Sequence, residues 1–251
     1  MERLLRATAT AEARHFWFRG FRAFVNPLLR YAAARRTGGG VARILDCGCG
    51  TGANLMVLNR FGRAYGFDMS EVGLRIGRQT GRTLLARATV AAAPFPTASF
   101  DIVTSFDVLY SLPDETEGQA IAEMFRVLKP GGFAVVNVAA MEILRGDHSV
   151  LSHELRRYSR NDLRARLSAA GFRIERLTYT NITLFLPLLL ARAHQRRRGL
   201  RGESEAQKEI TVPPAPLNAL LTGLLWLESL YLRRFDAPAG SSLLCLARKP
   251  A

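Results

Sequence analysis

One short segment constrains the fold of this chain more than any other. An apolar run at residues 44–46 leads into the sequence C-G-C-G-T-G at residues 47–52, and a helical pattern begins near Asn54. Glycine at alternating positions lets the backbone turn sharply and approach a ligand closely, because no Cβ is in the way. The free N–H groups of a following helix then favour a carboxylate or a phosphate. This strand–loop–helix unit predicts an α/β fold with a cofactor site at the loop.

Alternating strand-like and helical runs continue along much of the chain, the pattern of a parallel sheet flanked by helices. The predicted strands are Ala42–Asp46, Ala64–Asp68, Leu84–Thr89, Asp101–Ser105, Phe133–Val138, Phe172–Thr178 and Ser242–Ala247. We expect four zones: an N-terminal helical segment or lid at 1–40, a Rossmann-like cofactor domain at 41–178, an apolar and basic helical insertion at 179–240, and the final strand of the main sheet within 241–251.

An acidic residue stands where an adenosine cofactor would need it. Asp68 ends the second predicted strand, 22 residues after Asp46, and a carboxylate there can accept hydrogen bonds from the two hydroxyls of a ribose. The NAD fingerprint is G-x-G-x-x-G. This loop reads G-x-G-x-G, with Ala53 in place of the last glycine of that fingerprint, and alanine is permitted there. Spacing alone therefore leaves NAD open beside other adenosine cofactors.

The motifs together resemble those of class I methyltransferases that use S-adenosylmethionine (SAM), in particular the type 11 group. D-C-G-C-G-T-G is similar to that group's D-x-G-C-G-x-G. P-F-P-T-A-S-F-D at residues 94–101 resembles its L-P-F-P-D-x-S-F-D, and L-K-P-G-G at residues 128–132 matches a turn before the fifth strand. The resemblance covers about residues 41–178 and the last strand. It implies a Rossmann-like sheet, SAM as cofactor and methyl transfer as the activity.

The same resemblance assigns cofactor contacts by position. The loop glycines and Cys49 would cradle the methionine part of SAM, Asp46 would orient the loop and the amino group, and Asp68 would bind the ribose. Thr89 stands where the group commonly has an aspartate against the adenine amine. The full set of expected cofactor contacts is Asp46, Gly48, Cys49, Gly50, Gly52, Asp68, Met69, Thr89, Val90 and Phe106.

The acceptor is expected beside the loop that follows the fifth strand, because open α/β sheets bind ligands at the carboxyl ends of their strands. An N-terminal H-F-W-F together with the histidines and the R-R-Y of residues 148–158 is similar to a bacterial subgroup associated with glycan or lipid-linked metabolism. On that resemblance His148 is the expected general base, with His153 and Tyr158 as further catalytic candidates. The expected acceptor contacts are His15, Trp17, Tyr110 and Arg157. The alternative is that the histidines only hydrogen-bond loop backbone and that the aromatic cluster packs on the sheet.

Charge and hydropathy indicate an anionic surface as a partner. The net charge is +14, and lysine supplies only three of the 35 basic residues, so arginine dominates a field that favours anions. An apolar run at 182–193 precedes five arginines within 192–201, and a second at 217–232 precedes Arg233 and Arg234. Such segments resemble interfacial helices, and the first is shorter than the ~20 residues that span a bilayer. We expect a cytoplasmic protein with peripheral contact to the inner membrane. A cap for a long-chain acceptor, a dimer face and a simple packed insertion remain alternatives.

Other classes of function have weaker support. The three cysteines lack zinc-ligand spacing, so no metal site is predicted, and residues 1–14 lack the apolar core of a signal peptide. The arginine run has no interleaved aromatic residues, which argues against nucleic acid as a partner. The sequence therefore predicts a SAM-dependent methyltransferase acting on a small-molecule or lipid-linked acceptor. The alternatives are a catalytically silent SAM-binding scaffold and an RNA methyltransferase.

Overall fold

The computed structural model describes residues 2–202 and 210–251. The helices are α1 (Glu2–Ala11), α2 (Phe16–Arg35), α3 (Leu55–Leu58), α4 (Glu71–Gln79), α5 (Asp114–Val127), α6 (Asp147–Leu151), α7 (Arg160–Ala169), α8 (Phe185–Arg198) and α9 (Ala215–Tyr231). The strands are β1 (Arg43–Cys47), β2 (Arg63–Asp68), β3 (Leu85–Arg87), β4 (Phe100–Phe106), β5 (Leu128–Ala139), β6 (Arg173–Thr180) and β7 (Ser242–Arg248).

Within the described residues the strands form a seven-stranded sheet in the order β3-β2-β1-β4-β5-β7-β6. Strands β1 to β5 pair in parallel, and β7 runs antiparallel to β5 and β6. The predicted Rossmann-like α/β fold is confirmed. The chain order reverses between β1 and β4, and such a reversal opens a crevice beyond the carboxyl ends of the two strands. We call this space the switch-point crevice.

The central strands are apolar because helices cover both of their faces. Every residue of β4 is buried, and so are four of the five residues of β1. Parallel strands buried on both sides read as continuous apolar runs rather than as alternating ones. This is why the local pattern was enough to predict these strands.

The fifth strand differs from its prediction. The sequence predicts a turn at residues 128–132 before a strand from Phe133. In the structure the strand already begins at Leu128, which pairs with Phe100, and the register shifts before Phe133 pairs with Ile102. Gly131 has a positive φ of 76°, so the strand accommodates the glycine pair as a local irregularity rather than as a separate turn.

Helices α2 and α9 lie side by side. Helix α2 contacts β4 and β5 and buries residues such as Phe24 and Leu29. A Cβ added to Gly20 of α2 would lie 2.3 Å from Cδ1 of Leu225 in α9, so the two backbones approach closely at this glycine. At the start of α9, Asn218 Oδ1 accepts from Phe16 N and Asn218 Nδ2 donates to Arg14 O. The pair therefore joins the predicted insertion to the N-terminal segment.

Across the part of the chain that the structure describes, no helix is both long enough and apolar enough to cross a membrane.

Candidate functional site

The glycine loop leaves β1 at the edge of the switch-point crevice. Gly48, Gly50 and Gly52 all have positive φ, at 75°, 56° and 73°, a region that side chains other than glycine rarely adopt. The N–H groups of Gly48 and Cys49 both donate to Phe67 O in β2, at 2.9 and 3.0 Å. The loop is thereby fixed to the neighbouring strand, with only one side chain, that of the buried Cys49, between the first two glycines.

Asp46 is buried at the start of this loop with one oxygen unused. Thr104 Oγ1 donates to Asp46 Oδ1 at 2.6 Å, whereas Oδ2 is buried and has no hydrogen-bond partner among the described residues. Burial raises the pKa of Asp46 to about 7, although the Thr104 hydrogen bond opposes the rise. A buried, unpaired acceptor usually has a missing partner, and the amino group of a bound amino acid, directly or through water, would supply one.

Asp68 holds the loop from the end of β2. Its Oδ2 accepts from Gly50 N at 2.8 Å and its Oδ1 accepts from Ser70 N at 2.7 Å. A carboxylate offers about four acceptor positions, so lone pairs remain for the hydroxyls of a ribose. The next residue, Met69, is 68% exposed, which leaves an apolar side chain beside the position expected for adenine.

The remaining expected cofactor contacts line the neighbouring strand ends. Thr89 follows β3, and its Oγ1 accepts from Ala91 N at 3.3 Å within its own turn, which leaves its O–H and one lone pair for a ligand. Val90 is half-buried against the core. Phe106 ends β4 and meets Phe21 of α2 edge to face, with ring centroids 5.0 Å apart. The ten predicted positions thus lie at or just beyond the carboxyl ends of β1, β2, β3 and β4, and their contacts with a cofactor stay a prediction.

Asp107 is a candidate that sequence reasoning missed. It follows β4 directly, with φ of 61°, and its neighbour Val108 lies so close to Gly48 that a Cβ on that glycine would be 2.5 Å from Val108 Cγ2. Asn137 Nδ2 donates to Asp107 Oδ1 at 2.8 Å. The residue is exposed to solvent. Partial loss of hydration beside the strand ends raises the pKa of its carboxyl to about 7, although the Asn137 hydrogen bond lowers it. The sequence signal that could have identified Asp107 is its position as an acidic residue directly after β4, one of the two strands between which the strand order reverses.

The N-terminal segment lies over the glycine loop. Leu5 Cδ2 would be 3.0 Å from a Cβ on Gly50. Just past the end of α1, Glu12 Oε2 accepts from Thr51 Oγ1 at 3.2 Å, and Arg82 pairs with the same carboxylate at 3.8 Å. Ala11, between these contacts, packs with Leu151 of α6 and with Ile210. Helix α1 therefore connects the cofactor loop to the segment that follows β5.

His148 and His153 lie in that segment. His148 is half-buried on α6, and His153 is exposed, with φ of 52°. The helix is anchored at its first residue, because Asp147 accepts from Arg201 N at 3.0 Å and pairs with Arg198 at the end of α8. Through Leu151 the structure brings α6 next to α1. A catalytic role for either histidine stays a prediction.

Tyr158 is placed differently from the other catalytic candidates. Its side chain is buried and its hydroxyl donates to Glu117 Oε1 at 2.7 Å. Glu117 also pairs with Arg156 and Arg166, so Tyr158 belongs to a buried charge cluster between α5 and α7. Burial raises the pKa of Tyr158 further above its ordinary value. The hydroxyl of Tyr158 is hydrogen-bonded within the protein, which argues against the predicted catalytic role of this residue.

The expected acceptor contacts are largely engaged in holding the loops. Arg157 donates to Leu144 O and Ser241 O at 2.6 and 3.3 Å. Tyr110 is buried, and Leu155 N donates to its backbone oxygen. His15 caps α2, where its Nδ1 accepts from Trp17 N at 3.1 Å, and burial lowers the pKa of this histidine. The half-buried Trp17 packs against the core, so a contact of any of these side chains with the acceptor stays a prediction.

Fold and site together define an α/β enzyme of the Rossmann-like kind, with a loop suited to the amino-acid end of an adenosine cofactor. A family model described as a methyltransferase domain matches residues 45–136. The chain is 30% identical over 179 residues to a ubiquinone/menaquinone biosynthesis C-methyltransferase, UbiE, of Photorhabdus laumondii, covering 56% of this chain and 69% of that protein. The chain belongs to the class I SAM-dependent methyltransferases and is an enzyme whose cofactor is SAM.

Other matches agree with this assignment. A protein of Mycolicibacterium smegmatis described as an S-adenosylmethionine-dependent methyltransferase is 27% identical over 204 residues, 80% of this chain and 74% of its own length. A demethylmenaquinone methyltransferase of Geobacillus kaustophilus is 37% identical over 103 residues, 37% of this chain, and the match spans only 43% of that protein. The methyltransferase solved with the Trm112 activator of Haloferax volcanii superposes with a TM-score of 0.59 at 20% identity, covering 99% of this chain and 94% of that one. That likeness shows the fold alone.

Proposed function

We propose that this methyltransferase acts on an apolar small-molecule or lipid-linked acceptor, of the quinone, polyprenyl or glycolipid kind, at a membrane surface. The observation that carries the proposal is the apolar cluster that joins Ala11, Leu151 and Ile210, with Phe18 and Val212 packed against it. This cluster links the lid helix to α6 beside the expected acceptor position. Ala11, Leu151 and Ile210 are buried, so the junction of the two helices is apolar, and an acceptor bound against it would be apolar and shielded from water. Relatives named for menaquinone or ubiquinone biosynthesis support the same class.

The residues present fit SAM. The three glycines leave room for close backbone contact, Asp46 Oδ2 lacks a partner, and Asp68 keeps free acceptor positions. When bound, SAM supplies a methyl group made electrophilic by its sulfonium. The protein binds SAM and orients the acceptor toward its methyl group. Helix α1 and Glu12 would shield the glycine-loop side of the site from water. Alignment of the acceptor in such a closed site can supply much of the acceleration of a displacement reaction.

A hydroxyl acceptor also needs a group that takes its proton. We propose two candidates, His148 on α6 and Asp107 after β4. Asp107 directly follows β4, one residue before the Val108 that lies against Gly48, and this place and its pKa of about 7 suit a base that works near neutral pH. His148→Ala is expected to lower turnover with SAM affinity nearly unchanged. Asp107→Asn is the parallel test of the second candidate, and the variant with the larger loss of turnover identifies the base.

The acceptor class is tested by incubating the protein with methyl-tritiated SAM and fractionated cell extract. We expect the label to enter the organic phase, and Asp68→Ala protein to transfer less label at limiting SAM. Label that remains with RNA would refute the lipid-soluble acceptor in favour of an RNA methyltransferase. Calorimetric SAM binding without label in any fraction would favour the silent scaffold instead.

A further inference from the structure

Helix α9 exposes five large apolar or aromatic side chains and turns its single charge inward. Leu217, Leu220, Trp226, Leu227 and Tyr231 are each 46% to 61% exposed. Four of these, all except Trp226, recur at helical spacing along one face. Glu228, the only charged residue of this helix, is 3% exposed. Its carboxylate accepts from Ile182 N, Thr183 N and Thr183 Oγ1 at 2.7–3.1 Å. Water-facing helices normally show the opposite arrangement, so the outward face of α9 is suited to an apolar medium.

The surroundings of this face are positive. Helix α2, which lies alongside, contains no acidic residue and exposes Arg19 and Arg30. Directly after α9 come the exposed Arg233 and Arg234, and the ring of the exposed Phe235 stacks on Tyr231 at 5.2 Å. The nearby Asp236 is paired with Arg176 at 2.8 Å. Apolar and aromatic side chains bordered by arginines therefore form one surface, which we call the α9 face.

We propose that the α9 face docks on an anionic lipid bilayer, with the leucines and aromatic rings entering the boundary between headgroups and acyl chains and the arginines contacting lipid phosphates. The combination of a large apolar face with bordering basic residues is what interfacial helices require. The tyrosine of this face, Tyr231, favours this depth because one end of its side chain is apolar and the other polar. A second copy of the chain is a poorer occupant, because a two-fold contact brings the same patch together twice and would set these arginines against one another.

Docking through the α9 face would also determine where the switch-point crevice lies relative to the bilayer. Asn218 at the start of α9 ties this helix to Arg14 and Phe16, between α1 and α2, and α1 lies over the glycine loop. Bilayer contact through α9 would therefore hold the lid of the crevice near the lipid. This consequence rests on the proposed lipid-soluble acceptor, whereas the docking itself does not.

Co-sedimentation with vesicles tests the docking. We expect the full chain to sediment with vesicles of mixed phosphatidylglycerol and phosphatidylcholine, less with pure phosphatidylcholine, and less as salt rises, because screening weakens the arginine contacts. The double variant Leu220→Glu/Leu227→Glu should lose about tenfold or more of its binding, since each substitution removes a leucine that docking would bury in the bilayer and adds a charge at the lipid boundary. Val41→Glu is the matched control, because Val41 is 75% exposed on the loop before β1 and should bind as the wild type does.

Calorimetric binding of S-adenosylhomocysteine, equal in all three proteins, shows that the variants are folded. Equal sedimentation of the double variant and the wild type, or none by either, would overturn the proposal. So would a concentration-dependent dimer that the double variant abolishes without any vesicle binding, which would assign the α9 face to a second copy. Methyl label in the organic phase without vesicle binding would refute the docking but not the proposed acceptor class. Vesicle binding with label only in RNA would support the docking and refute the proposed acceptor class.

Discussion

At the scale of single residues, three aspartates at neighbouring strand ends differ because their surroundings differ. Asp46 is buried against Thr104, Asp68 accepts two backbone N–H groups, and Asp107 is held by one amide. The sequence identified the first two through their places in a motif. It missed Asp107, because the partner that orients it, Asn137, is 30 residues away and only the pairing of β4 with β5 brings them together. Tyr158 illustrates the same limit, since its partner Glu117 is 41 residues away.

Asp68→Ala should weaken the binding of S-adenosylhomocysteine by about tenfold or more. The variant loses the expected acceptor for two ribose hydroxyls and the acceptor that fixes Gly50 N, and a factor of ten corresponds to only ~1.4 kcal/mol. Titration calorimetry measures the effect. Glu71→Ala is the control, because its carboxylate lies on the surface and pairs with Arg87 at 3.5 Å. An Asp68 variant that binds as tightly as this control would remove the ribose assignment.

Asp107→Asn should be more stable than the wild type by an amount that grows as pH rises from 5 to 8. The pKa of Asp107 is raised from 3.8 to about 7 in the folded protein, so between these values the folded state retains a proton that the unfolded state has released. Stability from this group is complete below pH ~4 and is lost as pH rises through ~7. The asparagine does not ionise and can still accept from Asn137.

Urea unfolding at several pH values measures this difference without any acceptor. Glu115→Gln, at an exposed carboxylate on the first turn of α5, is the control. A constant difference between Asp107→Asn and the wild type across this range would show that the Asp107 carboxylate is hydrated normally.

At the scale of elements, prediction succeeded where local pattern decides and stopped where packing decides. Local hydropathy patterns predict buried parallel strands and apolar helices, and the seven predicted strands are present. The position of α1 over Gly50 depends on Leu5 and Glu12 meeting residues about 40 positions away. The hydrophobic periodicity of a sequence does not predict contacts between residues so far apart. The close approach of α2 and α9 likewise depends on Gly20, a glycine that no sequence pattern distinguishes.

Two glycine-to-alanine substitutions test that pairing. Alanine gains about 1 kcal/mol of helix propensity over glycine in either helix. At Gly20 the new Cβ would also lie 2.3 and 2.8 Å from Leu225 Cδ1 and Cβ, whereas at the exposed Gly223 nothing lies within 4 Å. Gly20→Ala should therefore lower the free energy of unfolding by about 1–3 kcal/mol, and Gly223→Ala should raise it by about 0.5–1 kcal/mol. Equal stabilisation of both variants in urea unfolding would show that α2 and α9 do not touch at Gly20.

At the scale of the whole molecule, the sheet order creates one crevice, and three separate parts of the chain meet around it. The glycine loop and Asp68 come from the first half of the sheet, Asp107 from β4, and the lid from the N-terminus. The long segment between β6 and β7 adds the α9 face on the outside. The central claim is that this crevice holds SAM with its amino-acid end on the loop and its ribose at Asp68.

The most direct test is a crystal structure of the protein with S-adenosylhomocysteine. We predict the amino and carboxylate groups of the ligand against residues 46–52, its ribose hydroxyls within hydrogen-bond distance of Asp68, and its sulfur on the side of Asp107. A crevice left empty at saturating ligand, or one occupied by a dinucleotide in its place, would contradict the account.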